Sequence, residues 1–439
     1  MNHTSKDISL SLALFGIAIL GYLVKYFLNA LLASHMTPEL YGDFAVALRV
    51  LTIVSGIALL GTNISSKRFL SKYLNMHKDH QAKDYVAWNL HVIRYTFFVC
   101  LALGLVLGLL NMFLRRYDIH NVDELHLAVY MLWVSPFFAF SLLFTSFLLC
   151  NRNVVLAQFF ANFAKYSLMF VFFGVSIYFL DIPIYSGSIV GIMLGAFLVL
   201  AVIEALFVNR FFSNTMPLAK AIEKPQKTKD KWFKVAVRLI ANNIIFLLMC
   251  TADLIIIEII SPREQAVGFY AAALTISSVL QIIPRGVYTV VKPYIADSLY
   301  DEKKLAILQK RFNHSNIVFF ILTAVIMLSI IGFAKPLLAT FGPAYTEAVT
   351  ALIILSVGRF FSLMCQSSIL IMAYGDHEKM MMSVSFIEFV LLVISASVMT
   401  YYFGITGTAI ATACVMTLKS ITYITFVKLK HKLKPLSLI

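Results

Sequence analysis

The feature that most constrains this chain is a succession of apolar stretches of about 20 residues or more, each followed by a short polar segment. A bilayer core about 30 Å thick is crossed by about 20 residues at 1.5 Å per residue. By that rule twelve stretches span, at about 9–33, 44–66, 89–114, 127–149, 156–180, 188–212, 236–260, 267–291, 313–333, 346–372, 380–402 and 408–428. They are too long and unbroken for strands of a soluble sheet, and a transmembrane barrel would show alternating segments of about 10 residues. The first stretch is too long for a signal-peptide core, lacks a small-residue cleavage site and is followed by eleven more, so it is expected to be retained. The expected fold class is an all-α polytopic membrane protein with twelve transmembrane helices.

Composition excludes the soluble alternatives. Of the 439 residues 60% are hydrophobic and 13% charged, against roughly 25% charged in a soluble domain. A net charge of +14 would point to nucleic acid in a soluble chain. Here the Lys and Arg residues sit between apolar runs, so topology accounts for them and no nucleic acid is expected. Five cysteines (Cys100, Cys150, Cys250, Cys365 and Cys414) are scattered singly, without a CxxC pair or a His/Cys cluster at metal-ligand spacing. Neither a disulfide framework, a metal nor a cofactor is expected.

The basic residues orient the chain. One set of connections carries Lys67, Arg68, Lys72, Lys78 and Lys83, then Arg152, then six lysines from Lys220 to Lys234, then Lys303, Lys304, Lys310 and Arg311, then Lys379, and finally Lys428, Lys430, Lys432 and Lys434. The other set carries Arg115, Arg116, Arg263 and Lys335. Both termini are therefore expected in the cytoplasm. The longest polar connection, 213–235, contains Pro217, Pro225 and those six lysines. It divides the chain into an N-terminal six-helix bundle, 1–212, and a C-terminal six-helix bundle with a basic tail, 236–439.

The two halves echo each other. After the first span comes Thr37-Pro38-Glu39-Leu40-Tyr41-Gly42-Asp43-Phe44-Ala45, and after the seventh comes Ser261-Pro262-Arg263-Glu264-Gln265-Ala266-Val267-Gly268-Phe269-Tyr270-Ala271. Each is a polar turn followed by Gly, an aromatic and small residues that let helices approach closely. A second echo relates Cys150-Asn151-Arg152 to Tyr374-Gly375. Repeats of six spans in one orientation imply bundles related by an axis along the membrane normal.

The same segments resemble a known family. Glu39-Leu40-Tyr41-Gly42-Asp43-Phe44-Ala45, Gly61-Thr62-Asn63 leading to Arg68-Phe69, Ala252-Asp253-Leu254-Ile255-Ile256, Ala266 to Ala273, and Phe341-Gly342-Pro343-Ala344-Tyr345 look like the polysaccharide transporter branch of the multidrug/oligosaccharidyl-lipid/polysaccharide (MOP) exporter superfamily. Its best known members are flippases of O-antigen and other repeat units, of the Wzx type. The resemblance covers essentially the whole chain, and its motifs specify the superfamily better than the substrate. It implies a MATE-like fold in a bacterial inner membrane, a lipid-linked oligosaccharide as cargo, and polysaccharide assembly proteins as partners.

Charges within the spans mark candidate sites, because one at the bilayer centre costs roughly 2.5 to 3.5 kcal/mol even on the mildest scale. The cations are Lys25, Arg49, Lys165, Arg285, Arg359 and Lys419, and the anions Glu204, Asp253, Glu258 and Glu388. The cationic excess suits an anionic cargo. Arg359 lies near the middle of span ten, where snorkelling is hardest, and is the strongest cavity candidate. Lys25 and Arg49 fall at similar depth on neighbouring spans, where either an anion lies between them or both snorkel to head groups. Lys165 and Lys419 either face the cargo or pair with Glu204 or Glu388. Arg285 follows Pro284 and either lines a polar pocket or anchors at the interface. Asp253, in the apolar run Ala252 to Ile257, either couples transport to H⁺ or Na⁺ or forms a simple ion pair. It aligns with Asn29 in the repeat.

No phosphate-binding Gly-rich loop, nucleophile–base arrangement or carboxylate pair at catalytic spacing is present in the sequence, so no enzyme activity is expected. The leading expectation is a flippase of isoprenoid-diphosphate-linked oligosaccharide working by alternating access. A cation-coupled drug or metabolite antiporter of the same superfamily should have an acidic cavity. A membrane-embedded glycan polymerase should have a large outer loop.

Overall fold

In the computed structural model every regular element among the described residues is helical; those residues are 2–116, 126–151, 153–213, 226–288, 291, 295, 302–375 and 377–431. The helices are α1 (Asn2–His35), α2 (Pro38–Ala58), α3 (Thr62–Asn75), α4 (Asp79–Arg116), α5 (Ser135–Cys150), α6 (Val154–Gln158), α7 (Lys165–Tyr178) and α8 (Ser186–Ser213). After the linker follow α9 (Gln226–Met249), α10 (Ala252–Ile260), α11 (Gln265–Ser277), α12 (Ile283–Val287), α13 (Glu302–Gly332), α14 (Val349–Leu363), α15 (Gln366–Tyr374) and α16 (Glu378–His431), with single helical turns between some of them. Most of the linker (214–225) and the charges Arg152, Lys220, Lys224, Lys432 and Lys434, which served to orient the chain, lie outside the described residues.

Among the described residues ten helices are long and apolar enough to cross a membrane. The expected fourth span is α5, only 16 residues long. The expected eleventh and twelfth form one 54-residue helix, α16, interrupted at Gly404 by a φ of 57° and a ψ of −142° that side chains other than hydrogen rarely tolerate. On a straight helix the 31 steps from Glu388 to Lys419 would cover about 46 Å. Their side chains instead meet at 2.7 Å, so α16 folds back on itself at Gly404. Next to the turn the Thr400 and Thr408 hydroxyls lie 2.7 Å apart. Lower down, Leu392 and Ala396 of one arm share a core cluster with Ala411 and Val415 of the other and with Ala252 and Ile256 of α10.

Several expected spans are discontinuous, the seventh and eighth among them. The seventh breaks at Cys250 and Thr251 between α9 and α10. The eighth passes from α11 through a 3₁₀ turn, Ser278–Ile282, into α12, whose first turn holds Pro284. Proline has no N–H to give the helical ladder, which favours such a restart.

The chain forms two compact units, residues 1–42 with 249–439, and residues 43–248. In the first, α1 packs on α11 and α12. The second holds an aromatic cluster in which Trp232, 1% exposed, packs against Tyr85 and Trp88 and donates its indole N–H to the Tyr73 hydroxyl at 3.1 Å. Outer faces are apolar: Phe98, Val106 and Leu109 on α4 and Val202 and Leu206 on α8 are exposed, as lipid-facing side chains must be.

Candidate functional site

The first unit buries a polar chain among its helices. Arg359, ten residues into α14, is 7% exposed, and its charge acts on the phenols of both Tyr22 on α1 and Tyr270 on α11. The Tyr270 hydroxyl, fully buried, stands 3.4 Å from Asp253 Oδ2 and 3.4 Å from Thr412 Oγ1. Asp253 opens α10 just past the break in span seven, and its Oδ1 accepts from the Leu254 N–H at 2.9 Å. A carboxylate in the first turn of a helix is favoured by the helix dipole. Arg359 and Asp253 are thus opposite charges bracketing one buried phenol.

Tyr22 reaches the same region from α1. Its hydroxyl donates to the carbonyls of Thr275 and Ile276 at 3.1 and 3.0 Å, where α11 gives way to the 3₁₀ turn and the hydrogen-bond ladder changes register. Lys25 lies three residues on from Tyr22, hence on the same helix face. The Asn29 amide, one turn further, donates to the Lys25 carbonyl at 2.7 Å and accepts from the Tyr41 hydroxyl at 3.0 Å. Asn29 and Asp253, aligned by the repeat, therefore each accept from a tyrosine on the helix that follows the intervening turn.

The second unit holds Lys165 and Glu204. Lys165 begins α7 immediately after a π-helical turn, Phe159–Ala164. Its ammonium lies over the rings of Tyr166 and Phe138, 4.5 and 5.5 Å from their centroids. Glu204 on α8 is fully buried and accepts from the Thr145 hydroxyl of α5 at 3.1 Å.

A family model described as polysaccharide biosynthesis protein matches residues 10–299. The chain belongs to that family. Among curated proteins none matches the chain. Among solved structures, an inward-facing multidrug resistance MATE family transporter of the MOP superfamily is 14% identical, with a TM-score of 0.74 over 96% of this chain and 98% of the other. The outward-facing form of such a transporter gives 0.64 over 97% and 96%, also at 14% identity. A MOP superfamily transporter from Pyrococcus furiosus, whose reversed binding-pocket polarity suggests a different function for it, gives 0.65 over 97% and 96% at 14% identity. At such identities the likeness establishes the fold, that of MATE-type transporters of the MOP superfamily. This polysaccharide biosynthesis family member is a multi-pass membrane protein with a transporter fold.

Within that fold the sequence-derived site residues separate. Arg359 is buried and shares its surroundings with Asp253 through Tyr270. Lys419 takes one of the two pairings open to it, with Glu388 at 2.7 Å, across the α16 hairpin. Lys165 and Glu204 share one unit without an ion pair between them among the described residues. Lys25 and Arg49 belong to different units, and the Arg285 side chain lies outside the described residues. Sequence reasoning missed Tyr22 and Tyr270, although tyrosines inside apolar spans that also hold charges were a readable signal. It also missed the π turn before Lys165, which has no sequence signature.

Proposed function

We propose that the protein flips an isoprenoid-diphosphate-linked oligosaccharide, an O-antigen, capsule or exopolysaccharide repeat unit, to the outer leaflet of a bacterial inner membrane. Membership of the polysaccharide biosynthesis family and the MOP transporter fold support membrane transport of this kind. The observation that carries the finer reading is Arg359, a guanidinium buried near the middle of a span and flanked by phenols. A buried guanidinium is suited to hold phosphate oxygens. Lys25, Lys165, Arg49 and Arg285 are further candidates for contact with the diphosphate or an acidic sugar. Lys419, engaged by Glu388, contributes to cargo contact only in a conformation that opens the pair.

In this reading the two halves, 1–212 and 236–439, comprise twelve spans with both termini in the cytoplasm, α5 serving as a short span and α16 as two. They alternate access around the site while the lipid tail stays in the bilayer. Asp253, held by Tyr270 and the start of α10, is the group that takes up H⁺ or Na⁺. Polysaccharide assembly proteins would supply and receive the cargo. Buried Asp253 and Glu204 also favour a second reading, a cation-coupled drug or metabolite antiporter of MATE type.

The test uses purified protein in liposomes carrying a fluorescent isoprenoid-diphosphate oligosaccharide, with an impermeant quencher reporting leaflet exposure. Protein-dependent movement that falls at least tenfold in R359A is expected, the effect of losing a charge-assisted contact worth about 1.5 to 3 kcal/mol. Export of an organic cation against a proton or Na⁺ gradient, with no movement of any lipid-linked glycan, would favour the antiporter.

A further inference from the structure

Among the described residues two carboxylates, Glu388 and Glu204, lie near lysines within apolar spans, and they are treated differently. Glu388 has closed onto Lys419 at 2.7 Å. Glu204, six residues from the Arg210 end of its span, has not closed onto Lys165. Its Oε1 accepts from Thr145, while Oε2 is buried without a hydrogen-bond partner. Lys165 is the charged group that acts on Glu204, yet its ammonium rests on the faces of Tyr166 and Phe138. Among the described residues, the elements packed most closely against α8 are α5, which presents the Ser141 and Thr145 hydroxyls, α7, which presents Lys165, and the turn Leu127–Tyr130, whose ionisable residue is Tyr130.

A bare carboxylate sealed among hydroxyls and hydrocarbon is strongly unfavourable, and such a group takes up a proton or a counter-ion instead. The counter-ion is within electrostatic reach and is held elsewhere by cation–π contact. The π turn Phe159–Ala164 sits directly before that lysine, and such turns recur at functional sites.

We propose that Glu204 is a proton-binding site and that Lys165 is its alternative partner, so that one lysine is shared between this carboxylate and an anion. With the proton on Glu204, Lys165 stays on the aromatic faces and its ammonium is available to a phosphate-bearing ligand. When the O–H bond breaks and the proton leaves to water, the ammonium keeps its own proton, moves onto the carboxylate and releases the anion. Only the anion clause rests on the flippase reading; the proton site stands on the geometry of the second unit.

Infrared spectra of the full-length protein in lipid nanodiscs, titrated with pH, test the proton site. Wild type should show the carbonyl band of a buried carboxylic acid that E204Q lacks and that fades as pH rises. In K165Q, which removes the competing cation, the band should persist to higher pH, by about one unit or more. No Glu204-dependent band, or a band whose fading K165Q leaves unmoved, overturns the proposal. Should E204Q fail to fold, the K165Q shift of the wild-type band still decides it. Inorganic diphosphate then probes the sharing. Its affinity should drop at least tenfold across the pH range in which the band fades in wild type, and stay level in E204Q. Diphosphate binding that ignores pH in wild type refutes the sharing. If diphosphate binds neither protein at any pH while the band behaves as stated, the anionic-cargo reading fails and the proton site holds.

Discussion

A Cβ placed on Gly42 would stand 2.9 Å from the backbone nitrogen of Gly268, and one placed on Gly268 would overlap the carbonyl oxygen of Pro38. These glycines are the matching positions of the two sequence repeats. The starts of α2 and α11 therefore meet backbone to backbone. Substituting either glycine inserts a side chain against backbone, which cannot rotate away. Gly268→Ala is expected to destabilise the protein by about 1–3 kcal/mol, the range for overpacking, and Gly268→Leu by more. Thermal unfolding in detergent measures both, and an unchanged transition in Gly268→Leu would show that the approach is not kept in solution.

The Glu388–Lys419 pair predicts a non-additive cycle. Its side chains are 6% and 15% exposed, so removing one partner strands the other's charge. Lys419→Met is expected to cost about 3–5 kcal/mol. The double change Lys419→Met with Glu388→Gln should cost less than Lys419→Met alone, because no charge is left behind. Unfolding of the four proteins of the cycle in mixed micelles supplies the comparison, and strict additivity would mean that the hairpin is held by its apolar contacts.

How much of this was legible in the sequence depends on the range of the interaction concerned. Long apolar stretches set by bilayer thickness announced the helices, and the Gly42 and Gly268 echo marked two helix starts that touch. The cost of a charge at mid-span singled out Arg359, which is buried. Pairing was not legible, because Glu388 and Glu204 are equivalent options for a lysine until the reversal at Gly404 brings Glu388 to Lys419. The break in span seven was likewise invisible, since Met249 to Asp253 contains neither Pro nor Gly. Tertiary packing overrides local preference there.

Gly404 gives a third prediction. Its φ of 57° with a ψ of −142° lies where a Cβ is strained. Gly404→Val should cost about 1–3 kcal/mol and loosen the hairpin. Cysteines placed at Ala396 and Ala411, partners in one cluster, in a background without native cysteines should cross-link efficiently with Gly404 present and slowly in Gly404→Val. Equal cross-linking rates would count against a turn that depends on glycine.

The last prediction separates the two charges that bracket Tyr270. Tyr270→Phe removes the hydroxyl standing 3.4 Å from both Asp253 and Thr412 and keeps the ring in its fully buried place. If Asp253 is the coupling group, the change alters the carboxylate's hydrogen bonding without touching Arg359's charge. Cargo affinity in Tyr270→Phe should then stay within about threefold of wild type, a loss under about 1 kcal/mol, while transport driven by an imposed H⁺ or Na⁺ gradient falls. Arg359→Lys should do the reverse, because a lysine keeps the charge but loses the planar fork that binds two phosphate oxygens at once. Its affinity for cargo should fall about tenfold, near 1.4 kcal/mol, with the ion dependence unchanged. Binding of a fluorescent isoprenoid diphosphate and gradient-driven flipping, measured on both variants, resolve the two effects. Equal losses of both properties in both variants would mean that Arg359, Tyr270 and Asp253 act as one inseparable unit.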